Sequence, residues 1–168
     1  MGNTQTGSII DHTDGAVATA ESDDASASPV RVLVVEDSTD AALSLDMLLT
    51  IGGYNVQVRR TGPEGLDAVF AFHPHIAIMD IGLPGLNGWE VATRISKQLG
   101  DRKPVMIAVT GYGQEEDRHR SQEAGFTYHF VKPVPPVKLL TLLHTIAARL
   151  HPHEETNGSS REKASRSS

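Results

Sequence analysis

The chain has 168 residues, a formal net charge of −6 and no cysteine, which excludes disulfides, thiolate metal sites and cysteine nucleophiles. The acidic balance argues against a nucleic-acid partner, because such binding surfaces are usually basic. No apolar run reaches the roughly 18–20 residues of a membrane helix, and residues 1–30 carry neither lysine nor arginine, which argues against a secretory signal. We therefore expect a cytoplasmic protein that neither enters the membrane nor binds nucleic acid.

The two ends of the chain differ in composition from the middle. Residues 1–28 are rich in alanine, serine, threonine, glycine and aspartate and carry a charge of −5, and residues 151–168 are polar with no net charge. That leaves only −1 for residues 29–150. Neither end shows hydrophobic periodicity, so we predict a disordered acidic N-terminal tail at 1–28, one domain at 29–150 and a disordered C-terminal tail at 151–168.

Strand and helix patterns alternate through the middle of the chain. The first strand, Val30–Val35, is short, β-branched and almost continuously apolar, as a strand buried on both faces should be. The first helix, Asp40–Ile51, has apolar residues at helical spacing: Leu43, Met47, Leu48 and Ile51. The later elements are predicted as strand Tyr54–Arg60, a helix from a capping box at Thr61 and Glu64 to Phe72, strand Ile76–Asp80, helix Gly88–Leu99, strand Pro104–Thr110, helix Gln114–Ala124, strand Phe126–Val131 and helix Val137–Leu150.

This order predicts an α/β fold of the (βα)5 type. Strands that alternate with helices imply right-handed crossovers and a parallel sheet covered on both faces. Five strands are too few to close an eight-stranded barrel. We therefore expect a five-stranded, doubly wound, flavodoxin-like sheet with strand order 2-1-3-4-5.

Polar residues follow four of the predicted strands. Glu36 and Asp37 follow the first, Asp80 ends the third, Thr110 ends the fourth and Lys132 follows the fifth. In this fold ligands bind outside the carboxyl ends of the strands, near the switch in strand order. The three carboxylates should therefore share one pocket, with Thr110 and Lys132 on its rim.

Such a pocket needs a proton or a cation, because two unit charges about 4 Å apart repel by roughly 4 kcal/mol at an effective dielectric constant near 20. Hard oxygen ligands with room for water suit Mg²⁺ best. A divalent ion and a lysine can neutralise phosphoryl oxygens and a threonine hydroxyl can donate a hydrogen bond to them, as phosphoryl transfer requires. An aspartate can act as the nucleophile of such a transfer.

Four sequence motifs carry a family resemblance. They are VLVVED (Val32–Asp37), MDIGLPGLNGWE (Met79–Glu90), VTGYG (Val109–Gly113) and VKPV (Val131–Val134). Over residues 30–150 the chain resembles the response-regulator receiver domains of two-component signalling. Its segment 109–134 also resembles receivers attached to hybrid histidine kinases.

The resemblance implies a role for each matching residue at the metal. Asp80 would be the phosphoacceptor and a metal ligand. Asp37 would bind Mg²⁺ directly, Glu36 would do so mostly through water, and Gly82 would lend its backbone carbonyl.

The resemblance also implies a phosphoryl-binding and switching apparatus. Thr110 would hydrogen-bond the phosphoryl group as a switch residue, and Lys132 would pair with that group and with Asp80. Pro133 would follow in a cis-peptide turn. His129 stands where the family often has an aromatic switch residue.

The implied function is a stand-alone response regulator that takes a phosphoryl group from a histidine kinase or histidine phosphotransfer protein and signals to an unknown downstream protein. We expect no enzymatic activity beyond its own phosphorylation and dephosphorylation, and either a monomer or a phosphorylation-dependent homodimer. Nothing after His151 would fold as an output domain. A phosphorelay intermediate, a phosphate sink and a phosphorylation-independent adaptor are the alternatives.

Two other classes of protein fit less well. Phosphohydrolases with an aspartate nucleophile resemble a DxD pattern, and Gly82 stands where their second aspartate would act. A flavin mononucleotide carrier needs free N–H groups after the first strand, where Glu36 and Asp37 would repel the phosphate.

Overall fold

A computed structural model describes residues 28–111 and 115–150. The predicted tails lie outside the described residues, apart from Ser28, and so does Gln114 at the predicted start of the fourth helix. The elements are β1 (Arg31–Val35), α1 (Thr39–Ile51), β2 (Asn55–Arg59), α2 (Gly62–Phe72), β3 (Ile76–Asp80), α3 (Gly88–Leu99), a 3-10 turn (Gly100–Arg102), β4 (Val105–Thr110), α4 (Glu115–Ala124), β5 (Tyr128–Val131) and α5 (Pro136–Leu150). Every predicted strand and helix is present, with ends shifted by one or two residues. None of these helices has the length and apolar character needed to span a membrane.

The five strands form one parallel sheet in the order β2-β1-β3-β4-β5, which confirms the predicted doubly wound fold. Val35 pairs with Met79, Asp80 with Val109, and Thr110 with Val131. This register brings the carboxyl ends of four neighbouring strands to the same edge of the sheet.

The core has two layers, one on each face of the sheet. Leu33 and Val35 pack on one face with side chains of α2, α3 and α4, whereas Val32 and Val34 pack on the other with α1 and α5. All four valine and leucine side chains are fully buried. Burial on both faces explains why β1 is apolar without alternation.

The apolar face of α1 was predicted wrongly. Leu43 and Met47 are 56% exposed and Ile51 is 83% exposed, whereas Ala42 and Leu49 are buried. Residues four apart lie on one side of a helix, so the side chains of Leu43, Met47 and Ile51 form a stripe that faces away from the sheet. Helix α1 carries apolar residues around most of its circumference, and contact with the sheet decides which of them become core.

The capping box predicted for α2 is only half formed. The Thr61 hydroxyl accepts a hydrogen bond from the backbone N–H of Glu64 at 3.4 Å. The Glu64 carboxylate, however, accepts from the N–H of Arg60, one residue before the N-cap. The chain therefore enters α2 with a turn that moves the reciprocal bond back by one residue.

Helix α3 begins directly against the end of β3. Asn87 and Glu90 form a complete capping box that fixes its first turn. A Cβ atom on Gly88 would lie 2.5 Å from the carbonyl oxygen of Asp80. Only glycine permits this approach, so α3 starts within touching distance of the residue that ends β3.

Candidate functional site

Three carboxylates meet at the carboxyl edge of the sheet. Glu36 and Asp37 follow β1, Asp80 ends β3, and one oxygen from each lies within 4.8 Å of the others. Glu36 and Asp80 are 2% and 8% exposed, whereas Asp37 faces solvent. The structure thus brings together the acidic residues that the sequence pattern placed in one pocket.

Lys132 joins the two buried carboxylates. Its Nζ atom donates to Oδ2 of Asp80 at 2.7 Å and to Oε2 of Glu36 at 2.9 Å. Burial lowers the pKa of Lys132, but hydrogen bonds and Coulomb attraction to Asp80 and Glu36 outweigh it and raise the pKa above its ordinary value. The lysine is therefore a fixed positive charge at neutral pH.

Backbone N–H groups occupy the remaining oxygens of the buried carboxylates. The N–H of Gly82 donates to Oδ1 of Asp80 at 2.9 Å, and the N–H of Ser38 donates to Oε1 of Glu36 at 3.1 Å. Among residues 28–111 and 115–150, no hydrogen bond reaches the carboxylate of Asp37. Glu36 is thus held by the protein through both oxygens, whereas the Asp37 carboxylate is open to an external ligand.

Arg60 at the end of β2 fixes the main chain around Asp37. Its Nη2 atom donates to the carbonyl oxygen of Asp37 and, at 2.8 Å, to the hydroxyl of Thr39. Arg60 was not predicted as a site residue, because a basic residue directly after a strand carries no motif of its own. Its place in the fold gives it a positioning role for the exposed carboxylate.

A cavity of about 460 Å³ opens beside Asp80, with Gly82, Trp89, Thr110 and Lys132 in its wall. Thr110 is 3% exposed, and its carbonyl oxygen accepts from the N–H of Lys132 at 2.8 Å. This bond holds the ends of β4 and β5 together. The peptide between Lys132 and the next residue is cis, as the resemblance implied.

His129 lies on β5 beside Ala108 of β4 and is separate from the side chains named in the cavity wall. Its Nδ1 atom is 3.2 Å from the hydroxyl of Ser121 on α4. Trp89 and Ser121 are polar members of this region that sequence reasoning missed as functional candidates. Trp89 is the only tryptophan of the chain, which was the one available signal.

The donor set of the cluster fits Mg²⁺. Three carboxylates and the Lys132 ammonium sum to a net charge of −2, and all carboxylate oxygens are hard ligands of the kind that Mg²⁺ prefers. The exposure of Asp37 leaves room for the water molecules that this ion retains. Asp37, Asp80 and the backbone of Gly82 would hold the ion, with Glu36 behind them.

The chain is similar to known proteins over most of the residues that the structure describes. Residues 32–144 match the model of the response regulator receiver domain. The response regulator MprA of Mycobacterium sp. (strain KMS) is 30% identical over 126 residues, a match that covers 75% of this chain and 54% of that protein. The chain therefore spans about half the length of the MprA relatives that it matches.

Shorter proteins match over most of their length. A 14.6 kDa protein encoded in the sodA1 3′ region of Leptolyngbya boryana is 32% identical over 113 residues, covering 67% of this chain and 86% of that protein. The CheY-like receiver domain protein of Methanospirillum hungatei JF-1 superposes with a TM-score of 0.67 at 31% identity, covering 73% of this chain and 98% of that chain.

Proposed function

The chain belongs to the response regulator receiver domain family, and we propose that Asp80 accepts a phosphoryl group from the phosphohistidine of a histidine kinase or a histidine phosphotransfer protein. One observation carries the proposal. Asp80 is a buried carboxylate that contacts Lys132, faces an open cavity and lies within 4.8 Å of two further carboxylates. A metal-assisted phosphoryl acceptor needs that combination: a carboxylate nucleophile, a cation beside it and oxygen ligands for a metal.

The transfer step follows from the residues around Asp80. A carboxylate oxygen of Asp80 forms a new bond to phosphorus while the bond from phosphorus to the donor's imidazole nitrogen breaks. The electron pair of that bond returns to the imidazole, which takes up a proton. Bound Mg²⁺ would neutralise charge on the phosphoryl oxygens, while the Lys132 ammonium pairs with one of them and the Thr110 hydroxyl donates to another.

The same residues limit the chemistry to the chain's own phosphorylation and dephosphorylation. Gly82 stands two residues after Asp80, where a phosphohydrolase would carry its general acid, and it has no side chain to move a proton. The N–H of Gly82 instead binds Oδ1 of Asp80. We therefore propose a switch rather than an enzyme that turns over small phosphate esters.

The output we propose is a protein–protein contact made by a stand-alone regulator in the cytoplasm, where ATP supplies the donor kinase. A phosphoryl group on Asp80 adds charge that draws in Thr110 and Lys132 and shifts α4 and β5, with His129 among the residues that move. A near-complete switch needs roughly 5.5 kcal/mol of differential stabilisation.

The unphosphorylated form would be a monomer and the phosphorylated form a monomer or a homodimer. A phosphorelay intermediate, a phosphate sink and a phosphorylation-independent adaptor are the alternatives.

Radiolabelling from acetyl phosphate tests the proposal. We expect incorporation that is labile in both strong acid and base, requires Mg²⁺, is abolished by Asp80→Asn, and is preserved in Asp67→Asn, which removes an exposed carboxylate on α2. Labelling that persists at full extent in Asp80→Asn would disprove the assignment. A protein that binds its downstream partner equally well as wild type and Asp80→Ala would instead be a phosphorylation-independent adaptor.

A further inference from the structure

Ser121 is a buried polar residue at the meeting point of three elements. It is 1% exposed, and its hydroxyl lies within hydrogen-bond distance of groups on α3, α4 and β5. The indole Nε1 of Trp89 is at 3.0 Å, the backbone carbonyl of Asp117 is at 2.8 Å, and Nδ1 of His129 is at 3.2 Å. One hydroxyl therefore connects two side chains that lie 40 residues apart in the sequence.

The hydrogen-bonding capacity of a hydroxyl fixes how these contacts divide. A serine hydroxyl has one proton to donate and two lone pairs to accept with. The shortest contact, to the Asp117 carbonyl, takes the proton, and an indole N–H can only donate. His129 must then donate through Nδ1–H, which gives all three partners of Ser121 a complementary role.

Trp89 connects this group to the cavity beside Asp80. Trp89 is one of the residues that line the cavity, and the guanidinium carbon of Arg120 lies 3.9 Å from the centroid of its ring. Arg120 and Ser121 are consecutive residues of α4, so the helix contacts the indole both across its face and at its N–H edge. The position of this wall therefore depends on the position of α4.

We propose that Ser121 is a positioning residue that holds Trp89 against the phosphoacceptor cavity and ties it to His129, so that filling the cavity shifts α4 and β5 together. The proposal rests on the proposed function of Asp80 as phosphoacceptor. A phosphoryl group that moves the indole must also move the hydroxyl bound to it. The same hydroxyl holds His129, so the imidazole cannot keep its place while α4 changes.

Nuclear magnetic resonance on the full chain tests the link, because the single tryptophan gives a single indole N–H signal. The probe for the phosphorylated state is beryllofluoride with Mg²⁺, and its binding is monitored by ¹⁹F signals. In wild type we expect beryllofluoride to shift both the Trp89 indole signal and the His129 ring signals. In Ser121→Ala we expect bound ¹⁹F signals and a Trp89 shift, but no shift at His129, and indole N–H exchange about tenfold faster than in wild type.

The matched control is Ser96→Ala. Ser96 also lies between α3 and α4, where its hydroxyl donates to the carbonyl of Ala124 at 3.1 Å, and it is not bonded to Trp89 or His129 through any contact described above. We expect Ser96→Ala to keep the wild-type response at both rings. This separates loss of the Ser121 link from general loosening of the helix pair.

A second variant covers the case in which Ser121→Ala fails to fold. Trp89→Phe keeps an aromatic ring but deletes the N–H donor, and we expect it to lose the His129 response as well. Bound ¹⁹F signals with an unchanged His129 response in either folded variant would overturn the role of Ser121 and leave Asp80 as phosphoacceptor. Absence of bound ¹⁹F signals in wild type would overturn the function of Asp80 and the coupling with it.

Discussion

Removing the charge of Asp37 should stabilise the protein when Mg²⁺ is absent. The Asp37 carboxylate lies within 4.8 Å of those of Glu36 and Asp80, and Lys132 offsets one of these two charges. One net charge at that distance repels by about 3.5 kcal/mol at a dielectric constant near 20 and by about 1 kcal/mol at the value of bulk water. Asp37 is exposed, so we expect Asp37→Asn to raise the free energy of unfolding by about 1–2 kcal/mol.

Mg²⁺ should cancel most of this advantage. A ligand that binds only the folded state at ten times its dissociation constant adds about 1.4 kcal/mol of stability. We expect wild type to gain that amount and Asp37→Asn to gain little, because the variant lacks the exposed carboxylate that would bind the ion directly.

Urea unfolding at pH 7 measures the effect of the Asp37 charge and the effect of Mg²⁺. It is carried out once in excess chelator and once in 10 mM Mg²⁺, roughly the concentration that saturates a weak site. Asp67→Asn on the exposed side of α2 is the control, because it removes the same charge from the chain without touching the cluster. An Asp37→Asn variant that is less stable than Asp67→Asn in chelator would refute repulsion within the cluster, and equal gains of the two variants from Mg²⁺ would refute metal binding by Asp37.

Three further predictions concern the supports of the site. Lys132→Met should lower the free energy of unfolding by about 2–3 kcal/mol at pH 7, because it leaves two buried carboxylates without their cation. A loss of unfolding free energy smaller than that of an exposed lysine variant such as Lys97→Met would contradict this. Folding raises the pKa of Lys132 above 10.5. The contribution of the Lys132 charge to the free energy of unfolding is therefore complete below that pH and is lost as the pH rises through the folded-state pKa. Urea titrations should show the stability difference between wild type and Lys132→Met narrowing only above about pH 10.5. Arg60→Ala should weaken Mg²⁺ binding about tenfold by calorimetry, because the main chain that carries Asp37 loses its anchor, and unchanged affinity would remove Arg60 from the site. Gly88→Ala should cost about 2–3 kcal/mol in thermal unfolding, because its Cβ would collide with a backbone carbonyl; wild-type stability would show that α3 can move away freely.

The sheet and the acidic cluster were predictable because local sequence controls both. Strands buried on both faces must be continuously apolar, as Val32–Val35 is, and residues that follow neighbouring parallel strands must meet at one edge. Glu36, Asp80, Thr110 and Lys132 could therefore be placed together before their distances were known. The pairing of Lys132 with Glu36 as well as Asp80 was not foreseen, because it depends on side-chain length and angle.

Features that depend on the packing of helices were not predictable. Leu43, Met47 and Ile51 have the spacing of a core stripe, yet the neighbouring stripe of α1 faces the sheet. The hydrogen bond from Trp89 to Ser121 joins residues that are 32 positions apart in the sequence. It forms only because of how far α3 and α4 are shifted along each other. A serine within a helix has no sequence signature that reveals such partners.

The double contact of Lys132 has a consequence for the speed of the proposed switch. A lysine bound to Asp80 alone would lose that carboxylate as its counter-charge when Asp80 became an acyl phosphate, and only the incoming phosphoryl group would replace it. Glu36 lies at 2.9 Å from the same ammonium and is itself anchored by Ser38. Glu36 therefore acts as a tether about which the ammonium can pivot from the Asp80 carboxylate to an oxygen of the phosphoryl group.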